Sequence, residues 1–164
     1  MPSSRTPLST LTGVALIVLP LLAWALKLFS FGWMMVFILF GPILLLIAGY
    51  VLQIVVAAQG FLSKRELFRA AKPRATVAAW VTSLGVLALG VFMPDGGDMD
   101  YGSTFQVWAG AYGPNSEAVH AATDALNSVV ATGAALLWIA GFVWLLVEWI
   151  AALIRRRRAA RPAG

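Results

Sequence analysis

Four apolar runs, each about as long as a bilayer is thick, constrain this chain more than any other feature. They cover 8–29 (LSTLTGVALIVLPLLAWALKLF), 33–58 (WMMVFILFGPILLLIAGYVLQIVVAA), 75–93 (ATVAAWVTSLGVLALGVFM) and 129–154 (VVATGAALLWIAGFVWLLVEWIAALI). A helix rises about 1.5 Å per residue, so about 20 apolar residues cross a hydrocarbon core of roughly 30 Å. Barrel strands would instead alternate apolar and polar residues in segments of about 10, and no run does so. Composition agrees, with 60% of the 164 residues hydrophobic and 12% charged, where a soluble domain carries about a quarter charged. The expected fold is all-α, a polytopic integral membrane bundle of four transmembrane helices in one membrane domain spanning 1–164. Two polar loops, 59–74 and 94–128, and a basic tail, 155–164, complete it. With no cysteine, disulfides, thiolate metal sites and cysteine nucleophiles are excluded.

The distribution of charge orients the bundle. Arg5 precedes the first run. Lys64, Arg65, Arg69, Lys72 and Arg74 separate the second from the third, and Arg155, Arg156, Arg157, Arg158 and Arg161 follow the fourth. In an alternating four-span topology these 11 of the 12 basic residues share one side, and only Lys27 falls opposite. The positive-inside rule then puts both termini and the 59–74 loop in the cytoplasm, and the carboxylates of Asp95, Asp98, Asp100, Glu117 and Asp124 outside. The arginine- and alanine-rich composition points to a bacterial plasma membrane. The basic clusters read as lipid anchors on an anionic inner leaflet, at about 1 kcal/mol per residue, and not as a nucleic-acid site. Ala23 and Ala25 have the spacing of a signal-peptidase site. The apolar run continues past them to Phe29, so the first segment reads as a retained span. Cleavage would leave three spans in the same orientation.

Local patterns refine the picture. Ser63 with Glu66 makes a capping-box pattern, and Phe61, Leu62, Leu67 and Phe68 give the 59–74 loop the apolar side of a short interfacial helix. Pro20 and Pro42 fall inside their runs and read as packing kinks. Ala75, Ala79 and Ser83, Ala78 with Thr82, and Ala131 with Ala135 are small-xxx-small pairs, suited either to the bundle or to another membrane protein. Trp33, Trp80, Trp108 and Trp149 suit interfacial belts, and Phe105, Trp108 and Tyr112 suit the outer surface. A helix is predicted from Asn115 or Ser116, running on into the fourth span. Its apolar face carries Ala118, Ala122, Ala125, Leu126, Val129 and Val130, and its polar face Glu117, His120, Asp124 and Asn127.

Three functional readings follow. Enzyme signatures such as HExxH, GxSxG, a Walker loop or GxGxxG are missing from the sequence, so the leading expectation is a non-catalytic accessory, scaffold or assembly role, with a membrane-protein partner or a homo-oligomer. The alternative is an oligomeric ion channel or proton-coupled transporter. It would use Glu148, Gln53, Thr82 and Ser83, which lie at similar depth and could form an intramembrane polar cluster. A third reading takes Glu117, His120 and Asp124, at helical i,i+3 and i,i+4 spacing, as ligands or as a His120-centred enzyme site. The loop carboxylates Asp95, Asp98 and Asp100 of PDGGDMDYG would complete it. That loop departs from the EF-hand pattern, so at most a weak divalent cation is expected there and no other cofactor.

Overall fold

The computed structural model describes residues 6–63, 67–68, 71–97, 101–111 and 113–160. Helix α1 (Pro7–Lys27) is prolonged by a 3-10 turn, Leu28–Ser30; a short helix α2 (Trp33–Phe40) and then α3 (Ile43–Ala57) follow. Helix α4 (Lys72–Phe92) leads into a two-stranded hairpin, β1 (Asp95–Gly96) against β2 (Tyr101–Gly102), then α5 (Thr104–Trp108) and the long α6 (Ser116–Ala159). Four helical segments are long and apolar enough to cross a membrane: Pro7–Ser30, Ile43–Leu62, Lys72–Phe92 and Gly113–Ala159.

Helix α4 is the centre. It packs against α1 on one side and α6 on the other, and α3 packs on α1. The reason lies in its small residues: Ala75, Ala78, Ala79, Thr82, Ser83, Gly85 and Gly90 are its buried positions. A Cβ on Gly85 would lie 2.7 Å from the Trp138 nitrogen of α6, and one on Gly90 would lie 2.5 Å from the Ala23 carbonyl oxygen of α1. Backbones that approach so closely gain dispersion contacts that bulkier side chains would prevent. The small-xxx-small pairs of α4 are thus used inside the molecule. Around them the core is formed by Leu16, Val56, Ala57, Phe61, Phe68, Leu145 and Ala152.

The structure departs from the sequence expectation in three places. The 33–58 run is not one kinked helix, since it breaks completely at Gly41–Pro42, where Gly41 adopts φ −115° and ψ −97°. Proline removes the N–H that would continue the ladder, and glycine tolerates the sharp change of direction. Second, the aromatic residues expected on an interfacial helix turn inward. Ala58–Leu62 closes α3 with a π-type turn, and the rings of Phe61 and Phe68 pack at 5.1 Å in the core. Glu66, the partner of Ser63 in the proposed capping box, lies outside the described residues. Third, the basic stretch Arg155–Arg158 is the last turn of α6 and not a separate tail. The predicted outer helix does run on into the fourth apolar run without a break, starting at Ser116 with Asn115 at its N-cap.

Replacing Gly90 with leucine is expected to destabilise the bundle by about 1–3 kcal/mol or more, because the nearest atoms are backbone and cannot move aside. Gly49, which has nothing within 4 Å of a built Cβ, is expected to accept leucine with little change. Thermal unfolding of both variants in one detergent checks the contrast.

Candidate functional site

Buried polar side chains gather at three levels. At the end of the molecule formed by the α1–α2 turn, the β1–β2 hairpin and α5, Lys27 and Asp95 are both buried, with Lys27 Nζ 4.0 Å from Asp95 Oδ2. The ammonium donates to the Ser30 carbonyl (3.1 Å), Ser30 Oγ (2.9 Å) and the Met93 carbonyl (2.8 Å). Those are all the donors an ammonium has. Asp95 accepts from backbone N–H groups: Gly32 (3.1 Å) and Met35 (3.1 Å) on Oδ2, Met34 (2.8 Å) and Gly96 (2.9 Å) on Oδ1. The first N–H groups of α2 have no partner in their own helix and its N-cap, Gly32, has no side chain. A carboxylate 63 residues away in sequence caps it and meets the positive end of its dipole. Thr104 Oγ1 donates to the Leu26 carbonyl (2.9 Å) and lies 3.1 Å from Ser30 Oγ, tying α5 to the same cluster.

The middle level is set by Pro20. Lacking an N–H, it leaves the Leu16 carbonyl without its usual donor four residues on. Gln53 Nε2 reaches from α3 to that oxygen at 2.7 Å, and the Tyr50 hydroxyl donates to the neighbouring Ile17 carbonyl at 2.7 Å. At the opposite end from Lys27, Arg74 at the start of α4 grips Glu148 of α6, with Nε 3.1 Å from Oε1 and Nη2 3.3 Å from Oε2. The arginine side chain is 64% exposed and the glutamate 8%. At this end too, Ser9 donates to the Phe61 carbonyl (3.0 Å) and Trp149 to Gln59 (3.1 Å).

Of the four residues proposed as an intramembrane cluster, three are held by separate partners. Gln53 is bound to α1, Glu148 to Arg74, and Thr82 to the Ala78 carbonyl of its own helix at 2.8 Å. Ser83 Oγ is buried without a hydrogen-bond partner among the described residues.

Among the described residues, the proposed metal ligands do not converge on one point either. The carboxylate of Asp95, with about four lone-pair sites, already takes four N–H bonds. His120 Nδ1 lies 3.3 Å from Asp124 Oδ1, and the same oxygen accepts from Gln106 Nε2 at 2.7 Å. Glu117 is exposed on the first turn of α6. Asp98 and Asp100 lie outside the described residues, among which no group of three potential metal ligands comes together. His120 also packs its ring on Tyr101. Beside it Ser103 and Gln106 form a reciprocal capping box on α5, and Ser103 Oγ donates to Asn127 Oδ1 at 2.6 Å. These bonds fasten α5 to α6. Of the aromatic residues expected on the outer surface, Phe105 stacks on Phe92 at 5.0 Å, Trp108 is exposed, and Tyr112 lies outside the described residues. Of the expected lipid anchors, Lys64, Arg65 and Arg69 also lie outside them, while Arg155, Arg156, Arg157 and Arg158 are exposed.

Sequence reasoning passed over Lys27, Ser30, Thr104 and Tyr50 as site residues. Lys27 carried a signal, since it was the one base on the acidic side of the topology. Comparison of the chain with known families, curated proteins and solved structures finds no match.

Two outcomes are expected from these contacts. Asp95→Ala leaves a buried ammonium without its counter-charge and the first N–H groups of α2 without their acceptor, and is expected to cost about 3–5 kcal/mol. Lys27→Met, which leaves the carboxylate its N–H bonds, should cost less, and the two losses should be less than additive in the double variant. Chemical denaturation in detergent measures all three. Gln53→Leu is expected to cost about 1–2 kcal/mol in the native background. It should cost much less beside Pro20→Ala, where the restored N–H supplies the Leu16 carbonyl. A double-mutant cycle gives the coupling directly.

Proposed function

We propose that this chain is a four-span integral protein of a bacterial inner membrane with a non-catalytic scaffold, accessory or assembly role. Both termini and the Arg74–Glu148 end face the cytoplasm, where arginines and lysines meet anionic lipid. The Lys27–Asp95 end faces outward. The observation that carries the role is the bond from Gln53 to the Leu16 carbonyl. Gln53, one of the polar groups expected at membrane depth, is spent on the Leu16 carbonyl that Pro20 leaves without a donor. Glu148 is likewise paired, with the exposed Arg74. A path needs groups that exchange partners along a line, whereas Gln53, Thr82 and Glu148 each bond a different partner.

What remains for interaction is apolar. The small-residue stripes of α4 are consumed internally, whereas α6 keeps Leu136, Ile139, Val143, Val147 and Ile150 exposed. This face is where a membrane partner is proposed to pack.

In reconstituted vesicles under a pH gradient, the protein is expected to add no proton or cation flux to that of protein-free vesicles, and Glu148→Gln is expected to leave that result unchanged. Flux that depends on Glu148 would overturn the scaffold reading in favour of a channel or transporter. A photo-crosslinking residue placed at Val143 or Val147 in native membranes is expected to yield one discrete adduct with a different protein. An adduct with a second copy alone would replace the accessory role by self-assembly.

A further inference from the structure

The membrane assignment above leaves one element without a place, the apolar helix α2. Its residues are WMMVFILF, with no polar side for water, and Phe37 and Phe40 are 70% and 89% exposed. Its level in the bundle follows from contacts already described. Helices α1 and α3 run antiparallel, joined at Leu16–Gln53 and again at Ser9–Phe61. Lys27 lies 11 residues beyond Leu16, and Pro42 lies 11 residues before Gln53. Both are thus displaced in the same direction by about 16 Å from the shared level. The C-terminal end of α2, at Gly41–Pro42, accordingly sits close to the level of Lys27. Its N-terminal end is bound by Asp95, which is 4.0 Å from that same lysine. A helix with both ends at one level lies across the bundle, not along it. Nor is α2 needed to cross the hydrocarbon, since Ile43–Leu62 supplies 20 residues by itself.

We propose that α2 is an in-plane helix seated in the outer leaflet of the bilayer, with lipid as the partner of its Phe37–Phe40 side. The same level carries Phe29, Phe31, Trp33 and Trp108 as exposed aromatic residues, and Phe29 and Trp108 meet edge to face at 6.1 Å. Such a band belongs at the boundary between acyl chains and headgroups. Asp95 is the latch that sets the helix in the plane and Gly41–Pro42 is the turn by which the chain then descends. Gly32 is part of the latch, since a Cβ there would lie 2.6 Å from both Asp95 Oδ1 and the Gly96 carbonyl oxygen. The proposal rests on the membrane assignment, and the test separates the two.

The chain has no cysteine, so single spin labels can be placed through Leu22→Cys, Phe37→Cys, Phe40→Cys and Val51→Cys. The variants are reconstituted in phosphatidylethanolamine–phosphatidylglycerol vesicles, and power saturation with oxygen and a nickel chelate reads the depth of each label. Equal, shallow depths at positions 37 and 40, with positions 22 and 51 deep, are expected. A depth that increases steadily from 37 through 40 to 51 would make the whole 33–58 run one span and overturn the proposal. Labels 37 and 40 in water with 51 deep would overturn lipid as the partner. All four labels in water would overturn the membrane assignment itself. In Asp95→Asn, which keeps the size of the side chain and one acceptor oxygen, the labels at 37 and 40 are expected to gain mobility while that at 51 does not. Unchanged mobility at all three would refute the latch.

Discussion

A backbone interrupted in an apolar medium must find its hydrogen bonds elsewhere, and most of what is distinctive in this molecule answers that demand. The hydrogen-bond ladder of α1 lacks one bond at Pro20 and the α2–α3 segment breaks at Gly41–Pro42, while α2 starts at a glycine with no side chain to cap it. Where burial removes water, as at Leu16 and Met35, each unpaired N–H or C=O costs about 1–3 kcal/mol or more. Gln53 supplies the Leu16 carbonyl and Asp95 the first N–H groups of α2. In each case the remedy comes from a distant segment, so a local backbone defect becomes a tertiary tie. Gln53 ties α3 to α1, and Asp95 ties the hairpin after α4 to the segment before α3.

The same demand explains why a lysine and an aspartate are buried together. Asp95 alone would be a desolvated charge, even with its N–H bonds. Lys27 offsets that charge at 4.0 Å while its own donors go to Ser30 and Met93. Burying such a pair gains little net stability, but removing one partner costs a great deal. Its effect is to specify an arrangement. The placement of the α1–α2 turn, the α4 end and α5 seen here satisfies Lys27, Ser30, Asp95 and Thr104 together.

These considerations mark the boundary of what the sequence makes legible. The apolar runs were readable because length and hydropathy are local properties, and the run from Ser116 into α6 was readable from its 3.6-residue period. The break in the 33–58 run was visible as Gly41–Pro42 but underestimated. A kink and a full stop look alike in sequence, and the difference depends on Asp95 holding the other end of α2. The clusters were misgrouped for a related reason. Depth counted from the ends of the apolar runs placed Glu148, Gln53, Thr82 and Ser83 together, and all four are buried, but Glu148 is bound at the Arg74 end of α4 and Gln53 at the Leu16 level of α1. The bond to Leu16 was nevertheless latent in the sequence. Pro20 identifies the freed carbonyl by counting back four residues, and a glutamine on the adjacent span was the available donor.

The ties also differ in how much packing lies behind them. Helices α1, α4 and α6 meet through backbones in direct contact, at Gly90 against Ala23 and Gly85 against Trp138. Helix α3 has no such contact. Its only buried residues are Gln53, Val56 and Ala57, in the last third of the helix, and nothing from Ile43 to Leu52 is buried. Local opening follows the thinnest packing, so the three-helix unit is the stable frame and α2 with the first half of α3 is the region attached to it by polar contacts. The frame therefore fixes where the two ends of α2–α3 are held, while the stretch between them has no buried residue to hold it.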